Sequence, residues 1–183
     1  MPATERDNMI GVSGYKGNRL RDQLKKEGLI ELHQVNLGKR GQLIALIEIT
    51  SKGWDILRTY KVDARKPAGK GSFIHQFWQD RIKGWYLNQD PECKAEIEKS
   101  VYGKAVDISV ETKDKKIAVE ILIKGEEKEL TNIAKDIETG WDEVIVCCES
   151  KEVINSLSGR ITEIYGNRCN GLVNFRELKE FAV

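Results

Sequence analysis

Residues 104–124, KAVDISVETKDKKIAVEILIK, hold two alternating apolar runs on either side of the polar tetrad Lys113-Asp114-Lys115-Lys116. Alternation of this kind predicts a β-hairpin with a solvated turn. In the first run Val106, Ile108 and Val110 point one way, and Asp107, Ser109 and Glu111 the other. In the second, Ile117, Val119, Ile121 and Ile123 share a face, with Ala118, Glu120, Leu122 and Lys124 opposite, because strand side chains alternate with period two. With the tetrad as the turn, Thr112 pairs with Ile117, Ser109 with Glu120 and Asp107 with Leu122. Asp107 and Glu120 then lie on one face of neighbouring strands, a diagonal step apart, within reach of a shared divalent cation.

Around this hairpin the chain has an ordinary soluble composition. Its 183 residues are 40% hydrophobic and 32% charged, which suits one or two domains with a real core. No run approaches the ~20 apolar residues of a membrane helix, and the polar start MPATERDN is not a secretory signal. A cytoplasmic protein with no membrane partner is expected. Cys93, Cys147, Cys148 and Cys169 show no CxxC spacing, so reduced thiols fit better than zinc or a disulfide framework. With only His33 and His75 present, a multi-histidine metal site is not expected.

Charge divides the chain. Residues 1–72 carry 14 Lys and Arg against 8 Asp and Glu, a surplus of +6, whereas the remainder carries 16 against 21, or −5. The change falls at RKPAGKGS, residues 65–72, whose Pro and Gly predict a linker. Two domains follow, 1–64 and 73–183. A basic front half suits a polyanionic partner.

In the front domain Gly11-Val12-Ser13-Gly14 predicts a turn, with Ser13 capping a helix to about Glu27 and Gly28 ending it. Leu20, Leu24 and Leu29 supply the apolar side of that helix. A strand over Leu29–Val35, a tight basic loop over residues 36–41, a strand over Leu43–Thr50 and a closing helix capped by Ser51 complete the domain. Helix, strand, basic loop, strand, helix resembles the winged helix-turn-helix class over roughly residues 8–62, on KGNRLRDQLKKEGLIE, the GKRG wing and LIEITSKGWDIL. The resemblance implies that the recognition helix offers Lys16, Asn18, Arg19 and Arg21 to DNA, with Lys39 and Arg40 on the wing. The alternative is a basic but merely solvated helix on a protein–protein module.

The back domain opens with SFIHQFWQDRIKGWYLN, where Phe73, Ile74, Phe77, Trp78, Ile82 and Trp85 predict an amphipathic helix packed on a sheet. Strands at 93–100, 104–112 and 116–124 follow, then a helix near 127–138, a strand at 143–148, a helix at 151–165, a short strand at 171–175 and a last helix at 176–181. This α-β-β-β-α-β order predicts an α/β domain, in an α+β chain, with a mixed central sheet.

That order, with Asp107 in VDISV and Glu120 in IAVEI, resembles the PD-(D/E)XK nuclease-like superfamily, the restriction-endonuclease-like fold, over roughly residues 73–175. The resemblance implies a Mg²⁺ (or Mn²⁺) site on Asp107 and Glu120, with Glu98 or Gln79 as an auxiliary ligand. The metal would activate water for phosphodiester hydrolysis. The pattern is broken at its third position, where Leu122 stands in place of Lys, and Lys124 two residues on is the available surrogate. Glu129 and Asn132, on the following helix, are further neighbours that the resemblance brings to the acid face.

The pairing of a winged helix with GSFIHQFWQD, VDISV, IAVEI and KELTNIAKDIETGWDEVIV is similar to the C-terminal tail of HerA/TraG-like DNA-translocating ATPases of mobile elements. It implies DNA as partner, with such an ATPase as partner or parent chain. No GxxxxGK[ST] loop occurs, so the chain carries no ATPase of that type. Three function classes stay open: a DNA-binding module with a lapsed nuclease fold, a Mg²⁺-dependent endonuclease, and a winged-helix regulator with a homodimerising back domain.

Overall fold

The computed structural model describes residues 3–38, 43–64, 71–101, 104–123, 126–169 and 171–182. The chain divides into two compact units, Met1–Ala68 and Gly69–Val183.

The first unit opens with a helix that the sequence did not announce, α1 (Ala3–Met9). Four residues with Gly11 at φ +69 turn the chain into α2 (Gly14–Lys26). Ser13 caps α2 as expected, its Oγ accepting from the Lys16 N–H. At the other end Gly28 sits at φ +70, and the N–H groups of Gly28 and Leu29 donate to the carbonyls of Lys25 and Leu24. This is the paired closure that a left-handed C′ glycine permits. Antiparallel β1 (Ile30–Asn36) and β2 (Leu43–Ile49) bury Ile30, Val35, Ile44 and Leu46.

The helix α3 (Ser51–Thr59) is capped by Thr50 and not by Ser51, because the Thr50 Oγ1 reaches the Gly53 N–H at 3.1 Å. Gly53 lets α3 close on the α2–β1 corner, since a Cβ there would stand 2.3 Å from the Leu29 carbonyl oxygen. Gly17 is likewise buried against α1. Leu20 and Leu24, expected on the buried side of α2, are instead 46% and 37% exposed. The contact of α2 with α1 runs through Gly17 and Arg21 to Asp7, which turns the leucines outward.

The second unit is built on a five-stranded sheet. Its elements are α4 (Phe73–Gln89), β3 (Lys94–Ile97), β4 (Ser100–Val101), β5 (Lys104–Ala105), β6 (Ile108–Glu111), β7 (Lys116–Leu122), α5 (Glu126–Thr139), β8 (Glu143–Cys148), α6 (Lys151–Tyr165) and β9 (Val173–Glu177). The sheet order is β3-β6-β7-β8-β9, with β4 and β5 forming a separate ribbon. The β3–β6 and β6–β7 pairs are antiparallel, and β7–β8 and β8–β9 are parallel. The mixed α/β class and mixed central sheet are those expected from the sequence.

Every position of β7 from Ile117 to Leu122 is buried, as a central strand covered on both faces requires. Ala118 and Leu122 join a core with Leu130 and Ile133 of α5 and Leu157 and Ile161 of α6. The alternate set, Ile117, Val119 and Ile121, is equally buried on the face where α4 packs. From α4 the buried stripe is Trp78, Ile82 and Tyr86, at helical spacing of four. Trp85 meets the Phe181 ring edge-on at 5.2 Å.

Three expectations in this unit need correction. The strand placed at 104–112 is broken at residues 106 and 107, so its first part pairs with β4 and only β6 enters the main sheet. The final helix is a single 3₁₀ turn, Leu178–Phe181, because β9 runs on to Glu177, where the Glu180 carboxylate accepts from the Glu177 N–H. The hairpin turn is Lys113-Asp114 alone. Thr112 donates its N–H to the Lys115 carbonyl at 2.9 Å, and its Oγ1 accepts from the Lys115 N–H. That local bond outcompetes a four-residue turn and moves the register by two: Glu111 faces Lys116, Ser109 faces Ala118 and Ile108 faces Val119.

Candidate functional site

Extending the observed register by one pair sets Asp107 opposite Glu120 and by two sets Val106 opposite Ile121. The chain bends away from β7 at Asp107, and the Val106 N–H turns to the Lys99 carbonyl at 3.2 Å. The Ile121 N–H thereby loses its strand partner. The Asp107 carboxylate replaces it, with Oδ2 accepting from the Ile121 N–H at 2.8 Å. The same oxygen lies 3.0 Å from Nε2 of His75, on the first turn of α4. The Asp107 carbonyl accepts from the Glu98 N–H at 2.9 Å and, more loosely, from Gln79 Nε2 at 3.5 Å. Asp107 is therefore the point where the sheet, the β3–β4 corner and α4 meet. Its side chain is only 20% exposed, and a carboxylate so placed is held by the donors it satisfies.

The other predicted residues are distributed around this knot. Glu120 is 3% exposed, on the central strand. Leu122 is fully part of the α5–α6 core, so the third position of the nuclease pattern is filled by packing. Lys124 lies outside the described residues, as does the side chain of Glu129. Glu98 is brought to Asp107 by its backbone, in a left-handed conformation at φ +53. Asn132, on α5, accepts from Lys135 at 3.3 Å. Gln79 is buried on α4, with its Nε2 3.5 Å from the Asp107 backbone carbonyl oxygen. His75 was not predicted. Its signal was its position four residues before Gln79, which puts both on one side of α4.

The donor set can be tested against a divalent cation. Among the described residues, one trio of potential ligands has all its ligand atoms within 4.8 Å of one another. It is Glu31, His33 and Glu48 on the β1–β2 hairpin, where His33 Nε2 stands 2.7 Å from Glu48 Oε2. Asp107, Glu120 and Glu98 are not such a trio. An oxygen of Asp107 is already committed to a backbone N–H and His75, and Leu122 offers no general base or water ligand. The residues around Asp107 fit a structural polar junction better than a hard-cation site, which draws on several convergent oxygens.

On α2, Lys16, Asn18 and Arg19 are exposed. Arg21 is drawn inward: its Nη1 contacts Asp7 Oδ1 at 2.6 Å and its Nη2 contacts Asn18 Oδ1 at 2.5 Å, leaving the side chain 12% exposed. It ties α2 to α1 and is not presented to a partner. Arg6 of α1 donates to the Ala45 carbonyl at 3.3 Å, and its pKa is lowered by burial and then by the Arg21 charge. Lys39 and Arg40 lie outside the described residues. All four cysteines are buried as thiols. Burial pushes the Cys147 thiol, on β8, well above its ordinary range, with Cys148 beside it adding to the shift.

No protein-family model matches this chain, and comparison with curated proteins gives no match. Among solved structures, that of SfsA from Pyrococcus furiosus in complex with Ca²⁺ is similar over 81% of this chain and 82% of its own, at 13% identity and a TM-score of 0.37. A superposition that loose carries no argument here. The described residues contain no helix long and apolar enough to cross a membrane.

Proposed function

We propose that this chain is a DNA-binding module of a DNA-processing system, with a winged helix-turn-helix over residues 1–64 and a nuclease-like second domain that no longer cleaves. The observation that carries the proposal is the presentation of Lys16, Asn18 and Arg19 on the solvent side of α2, behind a four-residue turn from α1 and ahead of a hairpin. Two helices joined by such a turn, the second leading into a two-stranded wing, form the frame in which a recognition helix enters the major groove. Lys16 and Arg19 would neutralise phosphates, and Asn18 would face base edges, held by its contact with Arg21. Lys39 and Arg40 enter the proposal on their sequence alone, as the basic residues between β1 and β2.

The second domain is proposed as PD-(D/E)XK-like on its strand order and on the opposition of Asp107 and Glu120. Its lapse is proposed on Leu122 in the core and on the Asp107 carboxylate serving the Ile121 backbone. Action in the cytoplasm, and association with a HerA/TraG-like ATPase as partner or parent chain of a mobile element, complete the proposal. The second reading, a Mg²⁺- or Mn²⁺-dependent endonuclease using Asp107, Glu120 and Lys124, draws on the same opposed acids.

Duplex binding at two salt concentrations, with cleavage of supercoiled DNA assayed beside it, tests the proposal. Salt-sensitive binding with no nicking is expected. Nicking by the wild type that is lost in both Asp107→Ala and Glu120→Ala would establish the endonuclease instead.

A further inference from the structure

The β1–β2 hairpin of the first unit carries three metal-ligating side chains on one face. In its register Glu31 stands directly opposite Glu48, and His33, opposite Leu46, is the next residue of β1 on that face. Further along, the face is apolar and buried, with Leu46 followed by the Val35–Ile44 pair. Two carboxylates and an imidazole therefore end a stripe that otherwise serves as core.

Like charges directly opposite one another on paired strands are destabilising. Glu31 and Glu48 meet in that way, and among the described residues no Lys or Arg is ion-paired to either. What answers them is His33, whose Nε2 lies 2.7 Å from Glu48 Oε2. One ligand atom from each of the three residues lies within 4.8 Å of the other two. The site is at the base of the hairpin, away from its loop. There the Thr50 N–H donates to the Leu29 carbonyl at 3.0 Å, and the Thr50 hydroxyl donates to the Gly28 carbonyl at 2.7 Å. These bonds fix the strands where the ligands project, so little ordering is left for binding to impose. The His33 side chain is 24% exposed, while Glu31 is open to solvent and leaves an ion a way in.

We propose that Glu31, His33 and Glu48 bind one divalent transition ion of the zinc class, with a fourth position open to water. An imidazole nitrogen with two carboxylate oxygens suits Zn²⁺, whereas Mg²⁺ and Ca²⁺ draw on six or more oxygens. Zinc–ligand bonds of about 2.0–2.2 Å put tetrahedral ligands about 3.4 Å apart. That separation is bracketed by the 2.7 Å contact of His33 with Glu48 and the 4.8 Å that bounds the trio. Rotation of the two glutamate side chains closes the difference without moving the backbone. Three protein ligands with one open position is the arrangement of reactive zinc sites, since purely structural ones are closed by a fourth. An ion held here turns the repulsion of Glu31 and Glu48 into bonds and ties β1 to β2 at their base. Zinc binding at this face is independent of duplex docking and of the Asp107 junction.

The test is calorimetric titration of the full chain, stripped of metal with EDTA and desalted, with Zn²⁺ and with Mg²⁺. Zn²⁺ is expected to bind at one equivalent and to raise the melting temperature, as any ligand of the folded state does. Mg²⁺ is expected to bind about a hundredfold more weakly or not at all. Glu31→Gln, at an exposed position, is expected to weaken Zn²⁺ about tenfold, and His33→Gln about a hundredfold. Co²⁺ in place of Zn²⁺ should give the visible bands of nitrogen and oxygen ligation, without the thiolate charge-transfer band that the cysteines would produce. Absence of Zn²⁺ binding up to about millimolar concentration would overturn the proposal. So would Zn²⁺ binding that Glu31→Gln and His33→Gln both leave unchanged while melting shows them folded, a thiolate band with Co²⁺, or Mg²⁺ binding as tight as that of Zn²⁺.

Discussion

Replacing Asp107 by Ala removes the acceptor of the Ile121 N–H and the partner of His75 together. The N–H left behind is on a buried central strand, so a loss of about 2–3 kcal/mol in urea unfolding is expected. Asp107→Asn keeps an oxygen in the same place, and should retain most of that stability. The contrast separates a structural acceptor from a metal ligand, for which Asn and Ala would be alike in stability when Mg²⁺ is absent. A second residue, Gly17, is equally specific. A Cβ there would stand 2.2 Å from Asp7 Oδ2, so Gly17→Ala must push Asp7 off Arg21, at about 1–3 kcal/mol by differential melting.

Burial raises the pKa of Cys147 above its ordinary 9.0, and burial also raises that of Tyr86, with Cys147 next in effect. Both groups stay protonated in the folded chain at pH values where the unfolded chain has lost those protons. Stability is therefore whole below pH 9 and declines as the pH climbs above it, the sense fixed by proton linkage. Urea midpoints measured from pH 7 to 11 should fall accordingly, and a flat profile would contradict the burial of these two groups.

At the scale of elements, α2 carries two kinds of arginine that the sequence could not separate. Arg19 is exposed and Arg21 is ion-paired to Asp7, two residues apart on one helix. Arg19→Ala is expected to weaken duplex binding and lower the salt slope by about 1, with the melting temperature unchanged. Arg21→Ala is expected to lower the melting temperature, because it leaves Asp7 buried and unpaired.

The same helix shows why legibility had limits. Ser13 and Gly28 announced its ends through local backbone chemistry, and both do what their types dictate. Its inward face depends on Asp7 in α1, a helix whose seven residues show no apolar stripe, and so apolar spacing alone puts Leu20 and Leu24 on the wrong side. In the hairpin the alternation placed Asp107 and Glu120 on one face. The register turned on whether Thr112 would bond to Lys115, a side-chain choice that a two-residue periodicity does not encode. Leu122 was legible at once as a departure from the nuclease pattern, whereas the engagement of Asp107 with Ile121 and His75 required the fold.

For the molecule as a whole, the charge divide at residue 72 falls near the division of the fold into Met1–Ala68 and Gly69–Val183. On the proposed function, duplex binding resides in the basic first unit. The most direct measurement is fluorescence anisotropy of a labelled duplex titrated with the full chain at 50 and 200 mM salt, for the wild type, Arg19→Ala and Asp107→Ala. Wild-type affinity is expected to fall steeply between the two salts, as counterion release requires. Arg19→Ala is expected to bind more weakly than wild type, and Asp107→Ala, assayed well below its melting temperature, to bind as wild type does. Binding that is insensitive to salt and to Arg19→Ala, or that disappears with Asp107→Ala, would contradict the proposed function.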